Sequence, residues 1–102
     1  MTSEEYVEAV LALVERIPAG RVMSYGAIAD ALADASDRCS PRLVGSIMAR
    51  YGAAVPWHRV VAADGRPPPG HEVQARERFA AEGTPMRGDK VDMAAAAWYP
   101  PE

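Results

Sequence analysis

Much that would assign this chain quickly is missing from it. It has one cysteine, Cys39, which excludes an internal disulfide framework. Cysteine and histidine form no cluster, and this argues against a structural zinc site or any other metal. No apolar stretch approaches the roughly 18 residues that a membrane span needs. The opening MTSEEYVEAV is acidic and amphipathic, unlike a signal peptide. A positive net charge is lacking too: the formal value is −3, which speaks against a partner rich in phosphate. What remains is an ordinary composition, with 49% hydrophobic and 25% charged residues, suited to one packed core. The expectation is a single domain over residues 1–102, cytoplasmic and without a membrane partner.

The distribution of charge qualifies its total. Between residues 38 and 66 stand five arginines (Arg38, Arg42, Arg50, Arg59, Arg66) against one acid, Asp64, a local excess of +4. The acids lie mainly before that segment and after Glu72. A basic middle between acidic flanks fits either a phosphate-facing surface or a solvated, arginine-rich one.

Periodicity supplies the elements. Thr2 and Glu5 have capping-box spacing, and Val7, Val10, Leu11, Val14 and Ile17 follow at helical intervals, so a first helix is expected over about residues 3–16. Pro18-Ala19-Gly20 ends it, and Arg21-Val22-Met23 is a short extended link. Ser24 can cap a second helix, YGAIADALADA, with Ile28, Ala31 and Leu32 as its buried side. After a polar turn containing Asp37, Arg38 and Cys39, Ser40 caps a third helix. Pro41 takes its first position, and Leu43, Val44, Ile47 and Met48 carry it to about Arg50. Val60-Val61-Ala62 suggests a strand and Ala63-Asp64-Gly65-Arg66 a wing-like turn. Pro67 to Pro69 form a stiff loop, and a last helix spans about Glu72 to Ala81 with Gly83 as its C-cap. The tail from Thr84 has no clear period; its Trp98 and Tyr99 either pack back onto the body or fray. The fold expected is mostly α with a small β element, a winged helix-turn-helix DNA-binding domain whose third helix reads.

Residues 55–61, VPWHRVV, look like half of a catalytic site. Histidine is the usual proton shuttle near neutral pH, but its neighbour is an indole, which is no nucleophile. Taken with IPAGRVMSYGAIADAL, SPRLVGSIMARYG, VPWHRVVAADG and RFAAEGTPM, this stretch resembles the C-terminal domain of the O6-alkylguanine-DNA alkyltransferases. The likeness runs from about Ile17 to Glu82. In that family the central motif is proline-cysteine-histidine-arginine-valine, and the cysteine accepts the alkyl group. Trp57 stands in the cysteine's place, which is similar to the alkyltransferase-like proteins.

Alkyl transfer needs a thiolate or comparable nucleophile, and the indole nitrogen of Trp57 offers no lone pair. Cys39 is read as a small turn residue rather than a substitute. The resemblance therefore implies a non-enzymatic protein, without a cofactor, that binds duplex DNA containing O6-alkylguanine through the minor groove, as a monomer. It also implies a flag for nucleotide-excision-repair proteins. Tyr25 matches the tyrosine that rotates the target nucleotide's phosphate; read structurally, it covers the core. Arg42 matches the arginine that fills the gap left by a flipped base, where a planar cation both stacks and hydrogen-bonds; its plain alternative is a phosphate contact. Gly45 and Ser46 are small residues that let the third helix approach a groove. Tyr25, Trp57 and Val60 would line a lesion pocket, the last two with their carbonyls. His58 and Glu82 match a proton relay and, without a thiol, would form a hydrogen-bonded buried pair, with Arg59 bracing it.

The chain also departs from the family. An asparagine shortly after the third helix is not evident, and the glycine-rich loop that closes over the lesion is replaced by RPPPGHE. Counting back from Glu82 puts Pro69 where a serine amide would touch the alkylated oxygen. Proline has no N–H, so Arg66 is expected to supply that contact, and the looser mouth to admit bulkier adducts. Two other readings remain open at this point: a winged-helix regulator without lesion specificity, and an active alkyltransferase using another nucleophile.

Overall fold

The structure, a computed structural model, describes residues 2–33 and 40–101; the expected polar turn at Asp37, Arg38 and Cys39 lies outside the described residues. Helix α1 spans Ser3–Arg16. Its start is fixed by the expected capping box, in which the Glu5 amide donates to Thr2 Oγ1 at 3.1 Å and the Thr2 amide to Glu5 Oε1 at 2.9 Å. Tyr6, Val10, Leu13 and Val14 form its buried stripe. Strand β1, Met23–Ser24, runs straight into α2, Tyr25–Ala31, because Ser24 Oγ accepts the Ala27 amide and opens the helix. Ser40 does the same for α3, Pro41–Tyr51, by accepting the Leu43 amide at 3.1 Å.

Helix α2 corrects the sequence expectation on one face. Ile28 and Ala29 are buried, whereas Ala31 is exposed. The segment carries an alanine at almost every second position, so its period is ambiguous, and the α2–α3 packing selects Ala29 instead. No helix among the described residues is long and apolar enough to cross a membrane.

Two 3-10 turns follow α3, over Gly52–Ala54 and Trp57–Arg59. They lead into β2, Val60–Val61, which pairs with β1 in parallel, Met23 opposite Val60 and Ser24 opposite Val61. The ribbon lies at the seam between two apolar clusters, and its alternation decides which side chain serves which. Met23 and Val60 join the cluster of α1, α2 and α3, while Val22 and Val61 join Ala75, Phe79, Val91 and Ala96. Helix α4, Glu72–Glu82, closes at Gly83, whose φ of +69° is left-handed.

The tail is ordered. Strands β3, Met86–Arg87, and β4, Lys90–Val91, form an antiparallel hairpin, followed by α5, Met93–Ala96. Ala97 then bridges to Val22 in parallel, and the Trp98 amide donates to the Val22 carbonyl at 2.8 Å. Trp98 packs against the first cluster, while Tyr99 stays 70% exposed, so only one of the two aromatics folds back. The wing-like turn closes through the Gly65 amide on the Ala62 carbonyl, and the Val91 amide holds it by donating to Gly65 at 2.9 Å.

Candidate functional site

A cavity of about 660 Å³ opens beside α3. That is within the range of about 300–1,000 Å³ usual for ligand pockets. Gly45, Met48 and Ala49 of α3, with Gly52 and Ala53 just after it, form one wall. Tyr25 and Trp57 form the aromatic part. Pro68, Pro69, His71 and Gln74 form the rim on the far side. Of the residues expected in a pocket, Tyr25, Trp57 and Pro69 thus meet around one space, and Gly45, expected only to face a groove, joins them there.

Trp57 lines this space rather than filling it. Its backbone sits in the 3-10 turn between Pro56 and Val60, and the ring is held from α4. The Arg78 guanidinium carbon lies 4.9 Å from the indole centroid, a cation–π contact, and the His71 ring centroid lies at 5.5 Å. Tyr25 is partly buried, and burial raises its phenol pKa, so the hydroxyl stays protonated at neutral pH.

Beneath Trp57 lies a network of ions. Glu82 accepts two hydrogen bonds from Arg59, Nε to Oε1 at 3.1 Å and Nη2 to Oε2 at 2.5 Å. Arg59 Nη1 also donates to the Ile17 carbonyl at 2.8 Å, and the Gly20 amide donates to Glu82 Oε1 at 3.3 Å. Arg59 holds the Glu82 pKa down at about 2, despite partial burial. His58 is the lesser partner. Its Nε2 lies 3.1 Å from Glu82 Oε2, yet neither ring nitrogen makes an aligned hydrogen bond. The expected His58–Glu82 pair meets at hydrogen-bond distance but poorly aligned, and Arg59, not His58, is the carboxylate's main partner. Burial keeps the His58 imidazole below its usual pKa, against the opposing pull of Glu82.

Arg66 is a correction. Its Nε lies 3.0 Å from Asp64 Oδ2 and donates to Oδ1 at 3.1 Å, and it does not line the cavity. The carboxylate two residues back is closer than the pocket. The Val60 side chain is 1% exposed and belongs to the core, so only its backbone, the part given a role by the resemblance, is left to face a ligand. The local excess of +4, which already counts Asp64 against its partner Arg66, falls to +3, since Glu82 from outside the segment neutralises Arg59. Arg42 and Arg50 stand exposed on α3. Ser46 is exposed on the same helix, and a Cβ added at Gly45 would meet nothing within 4 Å.

Sequence reasoning missed His71, Gln74 and Arg78. Their spacing of three and four residues was the available signal, because it sets them on one face of α4. Ala75 and Phe79 beside them anchor that helix in the core.

Helices α2 and α3, the wing-like turn and the cavity opening beside α3 define a winged helix-turn-helix DNA-binding domain. The chain belongs to the family described as 6-O-methylguanine DNA methyltransferase, DNA binding domain, which matches residues 5–84. It is similar to S. pombe Atl1 in complex with damaged DNA containing O6-carboxymethylguanine, with a TM-score of 0.78 and 26% identity over 98% of this chain and 100% of that one. It is also similar to S. pombe ATL in complex with DNA, with a TM-score of 0.75 and 27% identity over 98% and 100% of the two chains. No curated protein sequence matches it. Within its family the chain is alkyltransferase-like.

Proposed function

We propose that this chain is a non-enzymatic sensor of DNA damage, which binds duplex DNA through the minor groove, flips an O6-alkylguanine into the cavity and holds it. The observation that carries this reading is the open cavity beside α3, walled by Tyr25 and Trp57. A purine slid into it meets an indole face, and stacking on an aromatic side chain contributes about 1–3 kcal/mol. At the position where the family resemblance puts the alkyl-accepting cysteine stands Trp57, which cannot take an alkyl group, so the bound lesion would persist. Arg42, exposed at the first turn of α3, would enter the base stack in place of the flipped nucleotide. Gly45 and Ser46 would let α3 sit deep in the groove. The similarity to Atl1, solved with damaged DNA, supports the lesion as ligand. A persistent complex is useful only if something else removes the lesion, and nucleotide-excision-repair proteins are the partners this reading requires. The protein would act as a cytoplasmic monomer, on the nucleoid when bound.

The test compares matched duplexes with guanine or O6-methylguanine at one position, and assays the DNA for lesion loss after binding. Preference without loss is expected. Loss of the methyl group would make the chain an enzyme, and equal binding would leave a regulator without lesion specificity. Trp57→Ala is expected to weaken binding of the lesion duplex by the worth of one stacked base, about 1–3 kcal/mol.

A further inference from the structure

The cavity has few groups able to hydrogen-bond. Its side-chain donors and acceptors come from Tyr25, Trp57, His71 and Gln74, and the remaining lining is glycine, alanine, methionine and proline. Pro69 has no amide hydrogen to offer, and Arg66 is engaged by Asp64. On the α4 side, polar recognition therefore falls to His71 and Gln74. His71 occupies the N-cap position of α4, yet its side chain makes no capping hydrogen bond, so the imidazole is not committed to the helix. It packs on Trp57 instead, with the ring planes tilted by 56°. Gln74 follows three residues later on the same face.

We propose that His71, seconded by Gln74, is the specificity-determining residue that distinguishes an O6-alkylated purine from guanine. This rests on the reading of the cavity as the seat of a flipped base. Guanine offers an O6 carbonyl acceptor and, next to it, an N1–H donor. Alkylation at O6 removes the N1 proton, so that N1 becomes an acceptor and O6 an ether oxygen. An N–H donated from the imidazole meets an acceptor in the alkylated base and a second N–H in guanine. With that N–H toward the base, one hydrogen bond is gained in the first case and two donors oppose each other in the second. Guanine is matched only when the ring presents its unprotonated nitrogen instead, so the discrimination rests on the ring keeping its N–H toward the base. Tyr25 and Trp57 supply stacking and phenol or indole contacts that both bases accept. Gln74 can turn its carboxamide to suit either base, so it adds affinity more than discrimination.

The experiment is His71→Phe, which keeps a ring against Trp57 and removes the hydrogen bond, with His71→Gln as the conservative variant. Dissociation constants are measured for the guanine and O6-methylguanine duplexes, with thermal unfolding as a check on folding. The expected result for His71→Phe is a fall of about 3- to 10-fold in the preference for O6-methylguanine, the worth of one hydrogen bond, with affinity for the guanine duplex kept. His71→Gln, whose carboxamide can turn to suit either base, should keep affinity for both duplexes without restoring the preference. A preference that survives His71→Phe overturns this inference alone, and so does an equal loss on both duplexes. A wild-type protein with no preference overturns the sensor reading, and this inference with it.

Discussion

Glu82 grips Arg59 with both carboxylate oxygens, and this joins the C-terminal end of α4 to the turn that carries Trp57. Each side chain is less than a fifth exposed, 18% for Arg59 and 17% for Glu82, so the pair is worth more than a surface salt bridge. The Ile17 carbonyl and the Gly20 amide complete it, which places the end of α1 in the same knot.

That knot makes the fold sensitive to acid. The Glu82 pKa is lowered from 4.5 to about 2, so its contribution is complete above pH 4.5 and is lost as pH falls toward 2. His58 acts in the same direction at higher pH. Its pKa is below 6.5 in the folded protein, so the unfolded chain takes up its proton first and stability begins to fall below that pH. Glu82→Gln is expected to cost about 2 kcal/mol at pH 7, between a surface pair and a fully buried one. Urea unfolding at pH 7 and pH 3 checks both statements, because the gap between wild type and variant must narrow at pH 3.

Gly65 allows no side chain. Its φ is +93°, and an added Cβ would lie 2.2 Å from the Val91 carbonyl oxygen. Gly65→Ala should therefore destabilise the protein by about 2–3 kcal/mol, through strain and overpacking together. Gly70, with a φ of +82° and nothing within 4 Å, separates the two causes. Gly70→Ala should cost about 1 kcal/mol, from strain alone. Thermal unfolding of the two variants gives the comparison, and equal shifts would remove the contact with Val91 from the explanation.

Arg42→Ala tests the stacking role. Loss of a single phosphate contact weakens every duplex alike, whereas a side chain stacked in the gap of a flipped base adds about 1–3 kcal/mol on the lesion only. Affinity for the O6-methylguanine duplex is expected to fall by at least tenfold more than affinity for the guanine duplex, about 1.4 kcal/mol. An equal fall on both would reduce Arg42 to a phosphate contact.

The rim of Pro68 and Pro69 and the volume of about 660 Å³ predict tolerance of bulk. Between O6-methylguanine and O6-benzylguanine duplexes, affinity should change by less than about tenfold. A steep fall with size would mean that the mouth closes on the adduct.

The parts that could be read from the sequence are those where local chemistry speaks alone. Thr2 and Glu5 mark the start of α1, Ser40-Pro41 that of α3 and Gly83 the end of α4, because each cap is satisfied within a few residues. Where several residues of one type compete, as with the alanines of α2, only packing decides. The two-residue strands β3 and β4 are too short to show a period, so the ordered tail left no trace. In the site, the resemblance led to Tyr25, Gly45, Trp57 and Pro69, which meet in the cavity. Arg66, brought in only because Pro69 lacks an N–H, stands outside the cavity lining with Asp64, two residues back, as its partner. His71, Gln74 and Arg78 were overlooked because α4 reads as an ordinary polar helix until Trp57 is placed against it.

The bridge between Val22 and Ala97 has a consequence for the order of assembly. Strand β1 lies between β2 on one side and the segment after α5 on the other, and Arg21 at its entrance bonds the Ala96 carbonyl across 75 residues of chain. A parallel pairing of that span closes a long loop before it gains a contact, which is slow. During synthesis α1, α2 and α3 can collapse together early, but β1 keeps one edge open until Ala97 has been made. The Val22 contact that leads into β1 and Tyr25 is thus completed only after Ala97 has been made.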